Sequence, residues 1–190
     1  MKTKNIELSV KNMVCNRCIK VIREELMRNK IDFVRVDLGK IELDKELSEK
    51  QKENLLQILE KEGFELLEDK NQQRINFIKN YVIEQIHQRK KINKNQKLSE
   101  VLSENLGMDY TNISKLFSQI EGQTIEHYVI QQKIERVKEL LMYGELTLSQ
   151  ISYELDYSSP QHLSGQFKKI TGMTPSDFKE NGIRKTLDTI

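Results

Sequence analysis

The sequence predicts two domains of different class: an α+β domain of order βαββαβ over residues 1–69, and an all-α domain over residues 98–185. The all-α domain is expected to hold two tandem helix-turn-helix units joined by a long helix. Three observations carry this prediction. Apolar residues near the start alternate with period two and then switch to helical spacing. Residues 98–128 and 148–178 align at a constant offset of fifty. Between the copies runs a stretch of unbroken helical period.

In the front domain, Ile6, Leu8 and Val10 alternate as a strand, and Cys18 to Met27 has helical spacing. Phe33, Val34 and Val36, a turn at Leu38-Gly39, then Ile41 and Leu43 predict a hairpin. Leu55 to Leu59 reads as a second helix capped by Ser48, and Phe64 to Leu67, after Gly63, as a last strand. That order is the ferredoxin-like arrangement. Residues 70–97 read as a linker and lead-in helix.

The repeat in the second half is specific in residue type. Val101 pairs with Ile151, Ile113 with Leu163, Phe117 with Phe167, Ile120 with Ile170, Gly122 with Gly172, Thr124 with Thr174 and Tyr128 with Phe178. Each copy reads as helix, tight turn, helix. In the first, Gly107 suits a left-handed turn and Asp109 a cap. In the second, Ser159 is the expected N-cap and Pro160 the first helical residue. From Ile125 to Tyr143 a helix is expected to bury Val129, Ile130, Ile134, Val137, Leu140 and Leu141. At about 1.5 Å per residue it spans about 28 Å, near the roughly 34 Å between successive major grooves on one face of DNA. One chain can therefore engage two adjacent grooves. The plainer alternative is a helical bundle without a nucleic-acid partner.

Bulk composition narrows the class without naming a partner. No apolar run approaches the roughly 18 residues that cross a bilayer, so a cytoplasmic protein without membrane association is expected. A net charge of +2, from 31 basic and 29 acidic residues, is a weak nucleic-acid footprint. No Ser-His-Asp, paired-carboxylate or phosphate-loop pattern occurs at usable spacing, so no enzyme is expected.

The stretch Leu98 to Lys179 resembles the AraC/XylS-type DNA-binding domain, through Ile151-Ser-Tyr-Glu-Leu155, Phe167-Lys-Lys-Ile-Thr-Gly172 and Thr174-Pro175-Ser-Asp-Phe178. The resemblance covers residues 74–185. Asp156-Tyr157 stands where that family usually has Gly-Phe, and Gly165 where a base-reading Arg is common. The resemblance implies groove-facing residues Tyr110, Thr111, Ser114 and Lys115 in the first unit, and Gln161, His162 and Ser164 in the second. Gln161 suits adenine and Lys115 guanine, whereas Lys168 and Lys169 suit phosphates. Double-stranded DNA is the expected partner, with a second copy of the chain as a further candidate.

The only two cysteines, Cys15 and Cys18, fall in the first strand-to-helix loop, where a helix N-terminus favours thiolates. Two thiolates suffice for linear Cu(I) or Hg(II), whereas tetrahedral zinc needs four ligands. A thioredoxin-like pair would need a cis-proline beside the thiols, and the only prolines are Pro160 and Pro175. Residues 4–68 resemble a heavy-metal-associated domain, whose loop carries Met-x-Cys-x-x-Cys as Met13 to Cys18 does here, with Asn12 in place of the usual Gly. The combined expectation is a DNA-binding transcription regulator with Cu(I) or another soft metal ion at Cys15 and Cys18. The competing expectation is a metal-trafficking or docking module whose helical half does not read DNA.

Overall fold

In the computed structural model, which describes residues 6–87 and 96–181, the alternating start of the chain becomes strand β1 (Ile6–Lys11). It is followed by α1 (Asn16–Arg28), β2 (Arg35–Asp37), β3 (Lys40–Leu43), α2 (Glu49–Lys61) and β4 (Glu65–Leu67). The strands form one antiparallel sheet of order β2-β3-β1-β4, with Leu8 opposite Ile41 and Val10 opposite Leu66. α1 packs on β2, α2 on β4 and the two helices on each other, so both cover one face of the sheet. Ile22 and Leu26 of α1 and Leu55 and Leu59 of α2 are buried with Val10, Val36, Ile41 and Leu43.

Local chemistry sets the ends of these elements. α1 starts two residues earlier than helical spacing implies, which places Cys15 at its N-cap and Cys18 in its first turn. α2 has a full capping box: the Gln51 amide donates to Ser48 Oγ, and the Ser48 amide to Gln51 Oε1 at 3.0 Å. Replacing Ser48 by Ala should cost about 1 kcal/mol in urea unfolding; a loss within 0.2 kcal/mol of zero, on the order of experimental error, would contradict that role. The last strand begins at Glu65, one residue after the expected start.

The stretch read as linker and lead-in is helical from its first residue, as α3 (Lys70–His87), while residues 88–95 lie outside those described. Asp69 Oδ1 accepts from the amides of Asn71 and Gln72 at 2.9 and 2.8 Å and so caps it. Near its start, Asn76 Nδ2 donates to the Val10 carbonyl at 3.1 Å. Asn80 lies so close to Gly39 that a Cβ there would come within 1.9 Å of its Nδ2. Gly39 also has φ +71, so that hairpin position admits only glycine.

The chain divides into two compact units: one takes in the chain up to Tyr81 with Leu102–Gly107, the other Val82–Val101 and the chain from Met108 onward. α4 (Leu98–Leu106) contributes to both. The second unit holds α5 (Tyr110–Glu121), α6 (Ile125–Tyr143), α7 (Leu148–Glu154), α8 (Pro160–Thr171) and α9 (Pro175–Asn181). α6 packs against α5, α7, α8 and α9. Ile134, Val137, Leu140, Ile151, Leu163, Phe167 and Phe178 form the core around it.

The bounds of α6 are those its periodicity predicts, and Ile134, Val137, Leu140 and Leu141 are buried as expected. Val129 and Ile130 are only half-buried, whereas Gln132, Glu135 and Lys138 are buried. A helix packed by α5, α7, α8 and α9 and reached by His87 of α3 has little surface left for water, so its polar residues are enclosed and pair internally. Lys138 Nζ donates to Glu135 Oε1 at 2.6 Å and lies 5.7 Å from the Phe178 ring centre. Gln132 Oε1 is 3.0 Å from His87 Nε2. Among the described residues, no helix is long and apolar enough to cross a membrane.

Candidate nucleic-acid interface

α5 and α8 are built alike. Each buries an apolar residue in its first turn and an aromatic one turn later, Ile113 with Phe117 and Leu163 with Phe167. Each ends at a left-handed glycine, Gly122 at φ +67 and Gly172 at φ +79, where any side chain would be strained. Their starts differ. Ser159 Oγ accepts from the His162 amide at 3.1 Å with Pro160 in the first turn, as expected. Asp109 occupies the N-cap of α5, but its side chain makes no capping bond, so the expected cap is positional only. Gly107 at φ +60 and Asp156 at φ +54 supply the left-handed residue of each turn.

Opposite the buried positions lies a polar face on each helix. Thr111 and Lys115 are exposed on α5 with Ser114 half-buried between them, a spacing that puts all three on one side. On α8, Gln161, His162, Lys168 and Lys169 are exposed and Ser164 is half-buried. Gly165 is exposed, with nothing within 4 Å of where a Cβ would sit, so a side chain is missing there by sequence and not for want of room.

Tyr110 is placed differently from its companions. It is half-buried, and its hydroxyl donates to Glu126 Oε1 at 2.7 Å. Burial, then that carboxylate, pushes the phenol well above the usual tyrosine range, while the same bond holds the Glu126 carboxyl below the usual carboxylate range. The polar end of Tyr110 is thus committed to bracing α5 on α6. Asn112 is a residue that sequence reasoning missed. It is exposed beside Thr111, and its amide can pair bidentately with adenine. The signal was available, since Asn112 is the fifty-residue counterpart of His162.

In the first unit, Cys15 and Cys18 are free thiols, both half-buried, with their sulfurs 3.3 Å apart. Burial, then the hydrogen bond to Cys15, pushes the Cys18 thiol up. Asn12, at φ +70, adopts the left-handed turn that asparagine tolerates, and its Nδ2 donates to the Gly63 carbonyl at 3.0 Å. Met13 is fully buried and belongs to the core. Among the described residues, no group of three or more His, Cys, Asp or Glu could hold a metal ion. The cysteines are a two-donor set.

Residues 102–181 match the family model described as a helix-turn-helix domain. The chain is 32% identical over 89 residues to the uncharacterized transcriptional regulatory protein YesN of Bacillus subtilis (strain 168), covering 46% of this chain and 24% of that one. It is 30% identical over 84 residues to the xylose operon regulatory protein of Escherichia coli (strain K12), covering 44% and 21%. Among solved structures, the C-terminal domain of AraT, a response regulator from Geobacillus stearothermophilus, is similar with a TM-score of 0.47 and 20% identity, covering 60% of this chain and 88% of that one. The chain spans less than a quarter of the length of these two curated relatives. The family match runs from within α4 to the end of α9, and it makes the C-terminal part of this chain a helix-turn-helix domain similar to parts of these transcriptional regulators.

Proposed function

We propose that the chain is a cytoplasmic, sequence-specific DNA-binding transcription regulator. Its front unit is a ferredoxin-like domain of the heavy-metal-associated kind that responds to a soft metal ion. The observation that carries the DNA-binding part is the pair of like-built helices α5 and α8. Each is anchored by a buried aromatic and turns a polar face outward, within a domain of a type that binds DNA. Thr111, Asn112, Ser114, Lys115, Gln161, His162 and Ser164 are the proposed base-facing residues, and Lys168 and Lys169 the phosphate contacts.

The metal part rests on Cys15 and Cys18. A pair of thiols with no third donor fits a two-coordinate soft cation such as Cu(I) and does not fit a four-ligand zinc site within the described residues. Cys15 and Cys18 would hold the ion, and Asn12 shapes the loop by its bond to Gly63. When bound, the ion supplies a cation of high thiolate affinity at the start of α1. Its effect on DNA affinity requires that it favour one arrangement of the chain over another.

The test is selection of genomic fragments by the full chain, followed by affinity measurement with and without Cu(I) for wild type and for the Cys15→Ser, Cys18→Ser double variant. Affinity that falls steeply with salt and exceeds that for random duplex is the expected result. A Cu(I) response present only in wild type is expected as well. Absent or salt-insensitive binding would overturn the DNA-reading function in favour of docking. Four coincident curves would overturn metal sensing alone.

A further inference from the structure

We propose that Lys133, on the interior side of α6, is a positioning residue for base reading by α8, holding the turn after α7 in the shape that presents His162. The proposal rests on the DNA-reading function proposed above and names a residue that itself faces no base. Lys133 is half-buried, and its Nζ donates to the carbonyl of Leu155, the C-cap residue of α7, at 2.7 Å. A cation bonded to the end of a helix satisfies an otherwise orphaned carbonyl and complements the helix dipole. The same ammonium lies 5.2 Å from the ring centre of Tyr157, within cation–π range. Burial lowers the Lys133 pKa, and the Asp156 carboxylate in the turn opposes that shift.

From Tyr157 the contacts lead directly onto α8. Its hydroxyl donates to Gln166 Oε1 at 2.7 Å, and its ring meets the His162 ring edge-on, with centres 5.6 Å apart at 80°. His162 Nδ1 is 2.9 Å from Ser158 Oγ, and its backbone amide is held by Ser159. With Nδ1 occupied, Nε2 is the ring atom left to address a base edge. Two contacts, Lys133 on Tyr157 and Tyr157 on His162, therefore link the core helix to an exposed imidazole.

The device belongs to the second copy of the repeat alone. Fifty residues before Tyr157 stands Gly107, which has no ring to hold. The second copy is also the one that lacks a long side chain in the middle of its outer face, with Gly165 where the first has Lys115. Reading by α8 is thereby shifted to its first turn, Gln161 and His162, which is the part the clamp orders.

The experiment compares wild type with Lys133→Met and Lys133→Arg in the full chain, by two readouts. In free protein, long-range imidazole ¹⁵N spectra should show a single His162 tautomer for wild type and Lys133→Arg, and averaged Nδ1 and Nε2 shifts for Lys133→Met. In selection from randomised duplex, Lys133→Met should lose roughly 5-fold or more of its preference at positions read by the second unit, with the first unit's preferences kept and Lys133→Arg close to wild type. Equal loss at both sets of positions would mean a merely structural role and overturn the assignment. A folded Lys133→Met protein that matches wild type in both readouts overturns it too. If Lys133→Met does not fold, Lys133→Gln, which keeps a donor and loses the charge, is judged by the same outcomes. A wild-type protein that enriches no sequence overturns the DNA-reading function itself and base positioning with it. The imidazole spectrum then still shows whether Lys133 orders His162.

Discussion

Replacing Phe167 by Ala should destabilise the helical half by about 3–5 kcal/mol, measured as a lower urea midpoint in far-UV circular dichroism. Phe167 is fully buried, meets Phe178 edge-on at 5.5 Å and sits among Ile134, Val137, Ile151 and Leu163. Truncation removes the ring's transfer free energy, leaves a cavity between α6, α8 and α9, and deletes an aromatic pair worth about 0.5–1.5 kcal/mol. Against a net stability of about 5–15 kcal/mol, this is a fifth or more of what holds a domain together. DNA affinity should fall with it, because Phe167 is what ties the outer face of α8 to the core. A loss under about 1 kcal/mol would show that the site collapses around the smaller side chain. Phe117, buried against Tyr128 at 5.8 Å, is the counterpart in the first copy, and its truncation should cost about the same.

The internal symmetry behind that pairing was legible in the sequence, and it is a symmetry of the core. Ile113 and Leu163, Phe117 and Phe167, and Tyr128 and Phe178 are all buried, while Thr124 and Thr174 each accept a bond from the amide three residues on. Shape-determining positions tolerate few residue types, so they repeat. Ile120 and Ile170 also match, yet Ile170 is 36% exposed, so a matched apolar pair need not be a buried one.

Less legible were features that depend on what packs from outside an element. Periodicity assigns α6 a dry face and a wet face. Its helical neighbours enclose Gln132, Glu135 and Lys138, which no pattern of polar residues could announce. Helix position favours a thiolate at Cys18, and burial, a tertiary property that pushes the thiol up, is not visible in that position. Tyr110 sits where a groove-facing residue is expected, and Glu126, sixteen residues on, claims its hydroxyl. The α+β order of the front unit was readable from alternation and turns, whereas the continuation of α3 onto the Val10 carbonyl was not, since Asn76 and Asn80 look like surface residues in any helical plot.

The same division between core and outer face bears on which unit reads bases. Lys115 is exposed in the middle of α5, flanked by Thr111 and Ser114, and can place its ammonium on a guanine edge. Lys168 lies in the last turn of α8, where its charge complements the helix dipole and faces Asp177 at the start of α9. A lysine in that setting suits a phosphate, which positions without specifying. Replacing Lys115 by Ala should therefore relax preference at one or two base pairs, by about 1–3 kcal/mol of discrimination, or roughly 5- to 150-fold. Replacing Lys168 by Ala should instead weaken all sequences alike and lower the slope of log affinity against log salt by about 1. Both follow from competition titrations of matched and single-mismatch duplexes at three salt concentrations. A Lys168 variant that loses discrimination while the Lys115 variant keeps it would reverse the assignment and make α8 the principal reader despite Gly165.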